Sequence, residues 1–156
     1  MGSVSMAEAK HIEPDGGNLY KRANDMFVKV TTGDTGGAYE VCEERCPPGF
    51  ASRPHMHPKN HETFFIIKGG AKFILGDDEY DGKEGDLFHI PPGTPHQVIA
   101  GDDGIHMLMV YSPGTTEAMF ADMTSLSEEE RADWDTGAAV AEKHNTIWVK
   151  DFPKSA

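Results

Sequence analysis

Two histidines one residue apart, His55 and His57, stand ahead of Glu62 in the run His55-Met-His57-Pro-Lys-Asn-His61-Glu62. On an extended strand, residues i and i+2 project to the same side, so both imidazoles can converge on one point. The residues from Pro58 to His61 leave room for a turn before Glu62 opens the next strand. His96 lies farther along, just after Pro91-Pro-Gly93-Thr-Pro95, where a neighbouring strand would bring it opposite the pair. Three imidazoles and one carboxylate form a donor set for Fe, Mn, Ni, Co, Cu or Zn, whereas Mg and Ca favour all-oxygen sites. The other histidines compete for the same role. His61 should point away from Glu62 if both lie on one strand, and Pro58 disfavours a helical His57-x3-His61 zinc pair. His89 and His106 fall in predicted strands, and either could face a cavity. Phe64 and Ile66 share the parity of Glu62 and are expected to line a substrate pocket. Met107 and Met109 share a face whose direction the sequence leaves open.

The elements that must position these residues are short and β-rich. Met26–Val30, Ala38–Glu44, Glu62–Lys68, Ala71–Leu75, Asp86–Ile90, His96–Ala100 and His106–Tyr111 are rich in Val, Ile, Phe or Tyr, or alternate in polarity. Gly69-Gly70 reads as a two-residue hairpin loop, and Gly101-Asp-Asp-Gly104 as a turn between another pair. Pro47-Pro-Gly49 and Pro91-Pro-Gly93 break the chain sharply. Many short strands with such turns imply a sandwich or barrel. The tail changes character. Thr115 or Thr116 can cap a helix containing Met119, Phe120 and Met123. Ser127-Glu-Glu-Glu130 has the form of a capping box. Ala138–His144 reads as a third short helix, separated from the second by Gly137. The tail's apolar residues need a surface to cover: the barrel, its mouth or a partner subunit. The expected organisation is a flexible lead-in over 1–24, with 1–9 small and polar, a barrel over 25–112 and a helical tail over 113–156.

Composition bounds the function. The 156 residues suit one domain with a hydrophobic core. A formal net charge of −12, from 14 Lys+Arg against 26 Asp+Glu, argues against a nucleic-acid groove, which needs a basic patch. No run of about 18 apolar residues offers a membrane span, and no charged-then-apolar leader pattern is present, so a cytoplasmic location is the default expectation. Cys42 and Cys46 would lie roughly 13 Å apart on one strand. A disulfide needs Cα atoms within about 7 Å, so the pair reads as two reduced thiols.

Two segments resemble the cupin superfamily. Gly49-x5-His55-x-His57-x4-Glu62-x6-Gly69 matches the first cupin motif at every fixed position, and Gly85-x5-Pro91-x-Gly93-x2-His96 matches the second. The spacing of 15 residues between them is the short one typical of bacterial single-domain cupins. The resemblance implies an all-β fold, an antiparallel β-barrel or jelly roll with a short C-terminal helical extension. It implies that His55, His57, Glu62 and His96 hold one divalent transition metal, Fe2+ ranked first, with Ni2+, Mn2+, Co2+, Cu2+ or Zn2+ as alternatives. The second motif usually ends in Asn, where this chain has Ala100. That position is not a ligand, so the departure bears on contacts around the metal or substrate.

Fold does not select a reaction within this superfamily. The tail from Ala118 to His144 resembles the helical extension of bacterial quercetinase-like single cupins. The leading expectation is therefore a dioxygenase-like oxidoreductase acting on a small hydroxylated aromatic or enolisable substrate, with Glu62 as both ligand and catalytic base. The alternatives are a non-redox decarboxylase, isomerase, lyase or polyketide cyclase, and a metal-organised binding protein. Partners are expected to be a small-molecule substrate and a second copy of the chain, since exposed sheet edges are usually covered.

Overall fold

The computed structural model describes residues 7–153. Residues 1–6 of the expected lead-in lie outside the described residues. The strands are β1 (Asn18–Lys21), β2 (Asp25–Val30), β3 (Glu40–Cys46), β4 (His55–Met56), β5 (His61–Leu75), β6 (Asp78–Lys83), β7 (Leu87–Ile90), β8 (His96–Ser112) and β9 (Ile147–Trp148). Every strand pairing is antiparallel. The order β1-β2-β3-β8-β4-β9 forms one path, and β5 bridges β6, β7 and β8. The result is a mostly antiparallel β fold whose sheet is not closed by hydrogen bonds among the described residues. The segment read as a lead-in contributes β1, which adds an outer strand to β2.

Two expected turns are instead corners within long strands. Gly69-Gly70 is not a hairpin loop, because β5 runs through it without reversing. Likewise β8 runs through residues 101–104. The two strands stay paired on both sides of the corner, from His61↔Ser112 to Gly69↔Ile105, then from Ala71↔Ala100 to Leu75↔His96. Between those blocks β5 advances two residues while β8 advances five, so both bend together from one layer of the fold to the other. Gly69 has φ of +79°, and a Cβ there would sit 2.2 Å from the Gly104 carbonyl oxygen. A residue pair that looks like a tight turn thus marks a close backbone crossing. The true hairpin is at Gly76-Asp77, between β5 and β6.

The core between the layers is built from alternate residues of the long strands, including Phe64, Ile66, Phe73, Val98, Met107 and Met109. Cys42 and Cys46 are free and buried. The strand β6 was not predicted, since its sequence DEYDGK buries only Gly82 and offers almost no apolar alternation.

The tail forms α1 (Glu117–Ser125), α2 (Glu128–Ala132) and α3 (Trp134–Lys143). Ser127 Oγ accepts from Glu130 N at 3.1 Å, and Glu130 Oε2 accepts from Ser127 N at 2.7 Å, completing the predicted capping box. The start of α1 is capped differently. Thr116 holds the cap position, but its side chain makes no bond to its own helix. Buried Glu40, from β3, accepts instead from Thr116 N at 2.9 Å and Glu117 N at 3.3 Å, pinning the helix to the sheet. Gly137 does not separate two helices. It lies inside α3, where Trp148 packs so closely that a Cβ would come within 2.2 Å of its ring. No helix among the described residues is long and apolar enough to cross a membrane.

Candidate metal centre

Strand pairing assembles the site that the spacing anticipates. His55 of β4 lies directly across from His96 of β8. His57 follows β4 with the same parity, and its ring lies 4.9 Å from His55 and 5.6 Å from His96. Glu62 enters from β5, with Oε2 3.3 Å from His57 Nε2 and 3.0 Å from His96 Nε2. One ligand atom from each of His55, His57, Glu62 and His96 lies within 4.8 Å of the others. The second-motif turn supports this meeting, since Gly93 N donates to His57 O at 2.9 Å.

The outer nitrogens fix which ring atoms face inward. His55 Nδ1 lies 2.6 Å from Arg53 O, and His96 Nδ1 lies 2.9 Å from Thr94 O. A carbonyl can only accept, so each Nδ1 carries the proton and each Nε2 presents its lone pair to the centre. His57 Nδ1 pairs with Thr146 Oγ1 at 3.0 Å. Facing inward, His57 Nε2, Glu62 Oε2 and His96 Nε2 are buried without a hydrogen-bond partner. Buried polar atoms are seldom left so. Three orphaned atoms converging with a third imidazole, that of His55, in a nitrogen-and-carboxylate set, fit a divalent transition ion. These residues could hold a metal; its identity is open.

Electrostatics separate His55 from His96: burial opposes charge on His96, but the adjacent Glu62 carboxylate outweighs it and raises that imidazole. Burial, with the neighbouring His96 and His57, pushes His55 down to about 3. Burial opposes the charge on Glu62, but the imidazoles of His57 and His96 outweigh it and hold the carboxyl well below its ordinary value. Tyr111 pairs with Glu62 across β5 and β8. Its phenol is pushed well up by burial and by the adjacent Glu62 charge, so it stays protonated beside the site.

A cavity of about 590 Å³ opens onto His55, His57 and Glu62. Phe64 lines it, together with Met107 and Met109, whose shared face is the inner one. Ile66 does not line it. Its side chain is inward but fully buried in the core, packed toward Gly82 beside Phe73, so parity alone placed it one layer too close to the pocket. Neither His89 nor His106 faces the cavity. His89 stacks on His61 on the outer face at 5.5 Å, and His106 Nε2 pairs with Glu43 at 2.7 Å.

Sequence reasoning missed several residues. Tyr111 shares parity with Met107 and Met109, a signal that was available. Thr146, and the cavity-lining Arg22, Glu44 and Arg131, carried none, because chain folding alone brings them there. The tail covers its own barrel's mouth: Phe120 and Met123 of α1 line the cavity, and β9 pairs with β4, with His55 opposite Trp148.

Residues 42–111 match the family described as Cupin domain. The chain is 26% identical over 129 residues to quercetin 2,3-dioxygenase of Bacillus subtilis, covering 76% of this chain and 38% of that protein. It is 33% identical over 76 residues to oxalate decarboxylase OxdC of the same organism, covering 46% of this chain and 20% of that one. The chain spans less than half the length of the curated relatives it matches. Among solved structures, KdgF from Halomonas sp. superposes with a TM-score of 0.59 at 16% identity, over 67% of this chain and 94% of that one. At that identity the likeness is one of fold.

Proposed function

With residues 42–111 forming a cupin domain, we propose that this chain is a metal-dependent enzyme, an oxidoreductase of dioxygenase-like chemistry acting on a small hydroxylated aromatic or enolisable compound. The observation that carries the proposal is the set of orphaned, inward-facing His57 Nε2, Glu62 Oε2 and His96 Nε2, with His57 and Glu62 lining the cavity. The similarity to quercetin 2,3-dioxygenase over 76% of the chain favours the redox branch. A bound ion would supply Lewis acidity toward a substrate oxygen and, if redox-active, a route to O2. The protein's own groups supply the remainder. Glu62 is the one carboxylate among the four candidate ligands and accepts the proton that leaves a substrate hydroxyl or activated carbon. Phe64, Met107 and Met109 form an apolar wall that excludes water and suits a flat ring.

Oxygen consumption by metal-reconstituted protein, measured across a panel of flavonols, catechols and β-dicarbonyl compounds, tests the reading. Uptake stoichiometric with loss of one substrate is expected. Conversion of substrate with no oxygen consumed would move the chain to the non-redox reading, in which the ion only steadies an enolate.

A further inference from the structure

The chain is strongly acidic and has only four arginines, Arg22, Arg45, Arg53 and Arg131. Three of them, all but Arg45, line the cavity that opens onto His55, His57 and Glu62. Their surroundings separate them. Arg53 lies over the rings of Trp134 and Trp148, at 5.7 and 5.4 Å, and donates to Ala132 O. Arg131 caps the end of α1 through Nη1, on the carbonyls of Met123 and Leu126, which leaves its other nitrogens free. Arg22, in the turn between β1 and β2, lies 6.0 Å over Phe120. Its Nε is buried without a partner. Among the described residues, no carboxylate lies within salt-bridge distance of the Arg22 guanidinium. The nearby Glu44 spends Oε1 on Asn24 Nδ2 at 2.5 Å.

Burying a guanidinium without a counter-charge is costly, and two neighbouring guanidiniums repel. Burial and the like charge of Arg131 together hold Arg22 below its ordinary value despite Glu44. A site of this kind is completed by an anion from outside the chain, and the planar fork of arginine matches a carboxylate. The carboxyl groups of Glu44 and Glu128 line the same cavity, so the charge to be filled is small. That favours a singly charged carboxylate over a phosphate dianion.

We infer that the cavity takes an organic carboxylate, whose acid group is held by Arg22 and Arg131 while the rest of the molecule extends toward His55, His57 and Glu62. Arg22 is then a specificity-determining residue. The inference rests on the cavity's being the substrate site, but its anion pole can be probed without the metal.

Two matched pairs of probes test it by titration calorimetry. Hydrocinnamate and its primary amide are titrated into chelator-stripped protein. Dihydrocaffeate and its primary amide, which add a metal-binding catechol, are titrated into zinc-loaded protein. Each acid should bind about tenfold or more tightly than its amide, the usual worth of a charge-assisted bond. Arg22→Met and, separately, Arg131→Met should erase most of that preference, weakening the acids far more than the amides, and Arg22→Lys should restore part of it. Equal binding of acid and amide in both pairs overturns the inference, as does a preference that survives in both methionine variants. An acid preference without any advantage for the catechol pair supports the anion pole and counts against the metal-bound substrate.

Discussion

At the residue scale, Glu62 combines two roles that can be separated. Three imidazoles can hold a divalent ion, so the carboxylate's further contribution is charge and basicity. Glu62→Gln keeps the shape and one oxygen and removes both. It should retain a substantial fraction of metal by elemental analysis and lose turnover by about 10²–10⁴ on the substrate that the oxygen panel identifies. His61→Ala, on the outer face, should cost far less; equal losses in the two variants would count against a proton-accepting Glu62. Glu44 makes a different prediction. Its burial pushes the carboxyl from 4.5 up to about 7. A raised carboxyl binds more protons folded than unfolded, so stability falls as pH rises from about 4.5 to 7 and the loss persists above that. In metal-free protein Glu44→Gln removes this dependence. The variant should gain over wild type at pH 8, by up to about 3 kcal/mol, and gain much less at pH 4.5. Melting curves at the two pH values check it, and an equal gain at both would refute the assignment.

At the element scale, the ligand strand β4 is only two residues long and depends on what lies beside it. On one side is β8; on the other is β9 from the tail, and Thr146 just before β9 reaches His57 Nδ1. Thr146→Val removes that partner without changing the shape of the side chain. Metal affinity, measured by competition with a chelator, should drop about 10- to 100-fold with the fold intact; unchanged affinity would show that the ring needs no such support. Corners and turns separate in the same way. Gly85 has φ of +86° in open space, whereas Gly69 combines φ of +79° with the Gly104 carbonyl. Gly85→Ala should cost about 1–2 kcal/mol for the backbone alone, and Gly69→Ala clearly more, by denaturant unfolding.

That contrast shows what the sequence made legible. The candidate ligand set was readable because metal chemistry restricts residue types and strand parity restricts their direction, and the fold does bring His55, His57, Glu62 and His96 together. The long strands were readable in pieces, from the alternation of Phe, Ile, Met and Val. Their continuity was not, since a glycine needed for a close crossing looks like a glycine needed for a turn. Polar β6, the two-residue strands β4 and β9, and the arginines gathered from a turn, a loop and a helix were invisible, because only tertiary folding gives them a common address.

At the scale of the whole molecule, one outer face is unusually apolar. Phe65 and Ile67 of β5 and Leu87 of β7 are exposed, Leu87 most of all at 61%, and Phe65 and Leu87 are cross-strand neighbours. A patch of this kind marks a contact surface. We propose that it is where two copies of the chain meet. Light scattering at micromolar concentration should give twice the chain mass, and Leu87→Glu should halve it. A monomer in the wild type would refute the dimer.

The bond between Thr146 and His57 also has a consequence in time. The two residues are 89 positions apart. At roughly 5–20 residues per second of synthesis, the imidazole waits about 4–18 s for the group that orients it. During that interval β5 to β8 are still being made, and the His57 ring lacks this support. The nascent barrel can capture an ion early, but its grip tightens only when the last strand docks. An ion held by these four residues would therefore be gripped fully only once β9 has docked, whatever the histidines met when they first emerged.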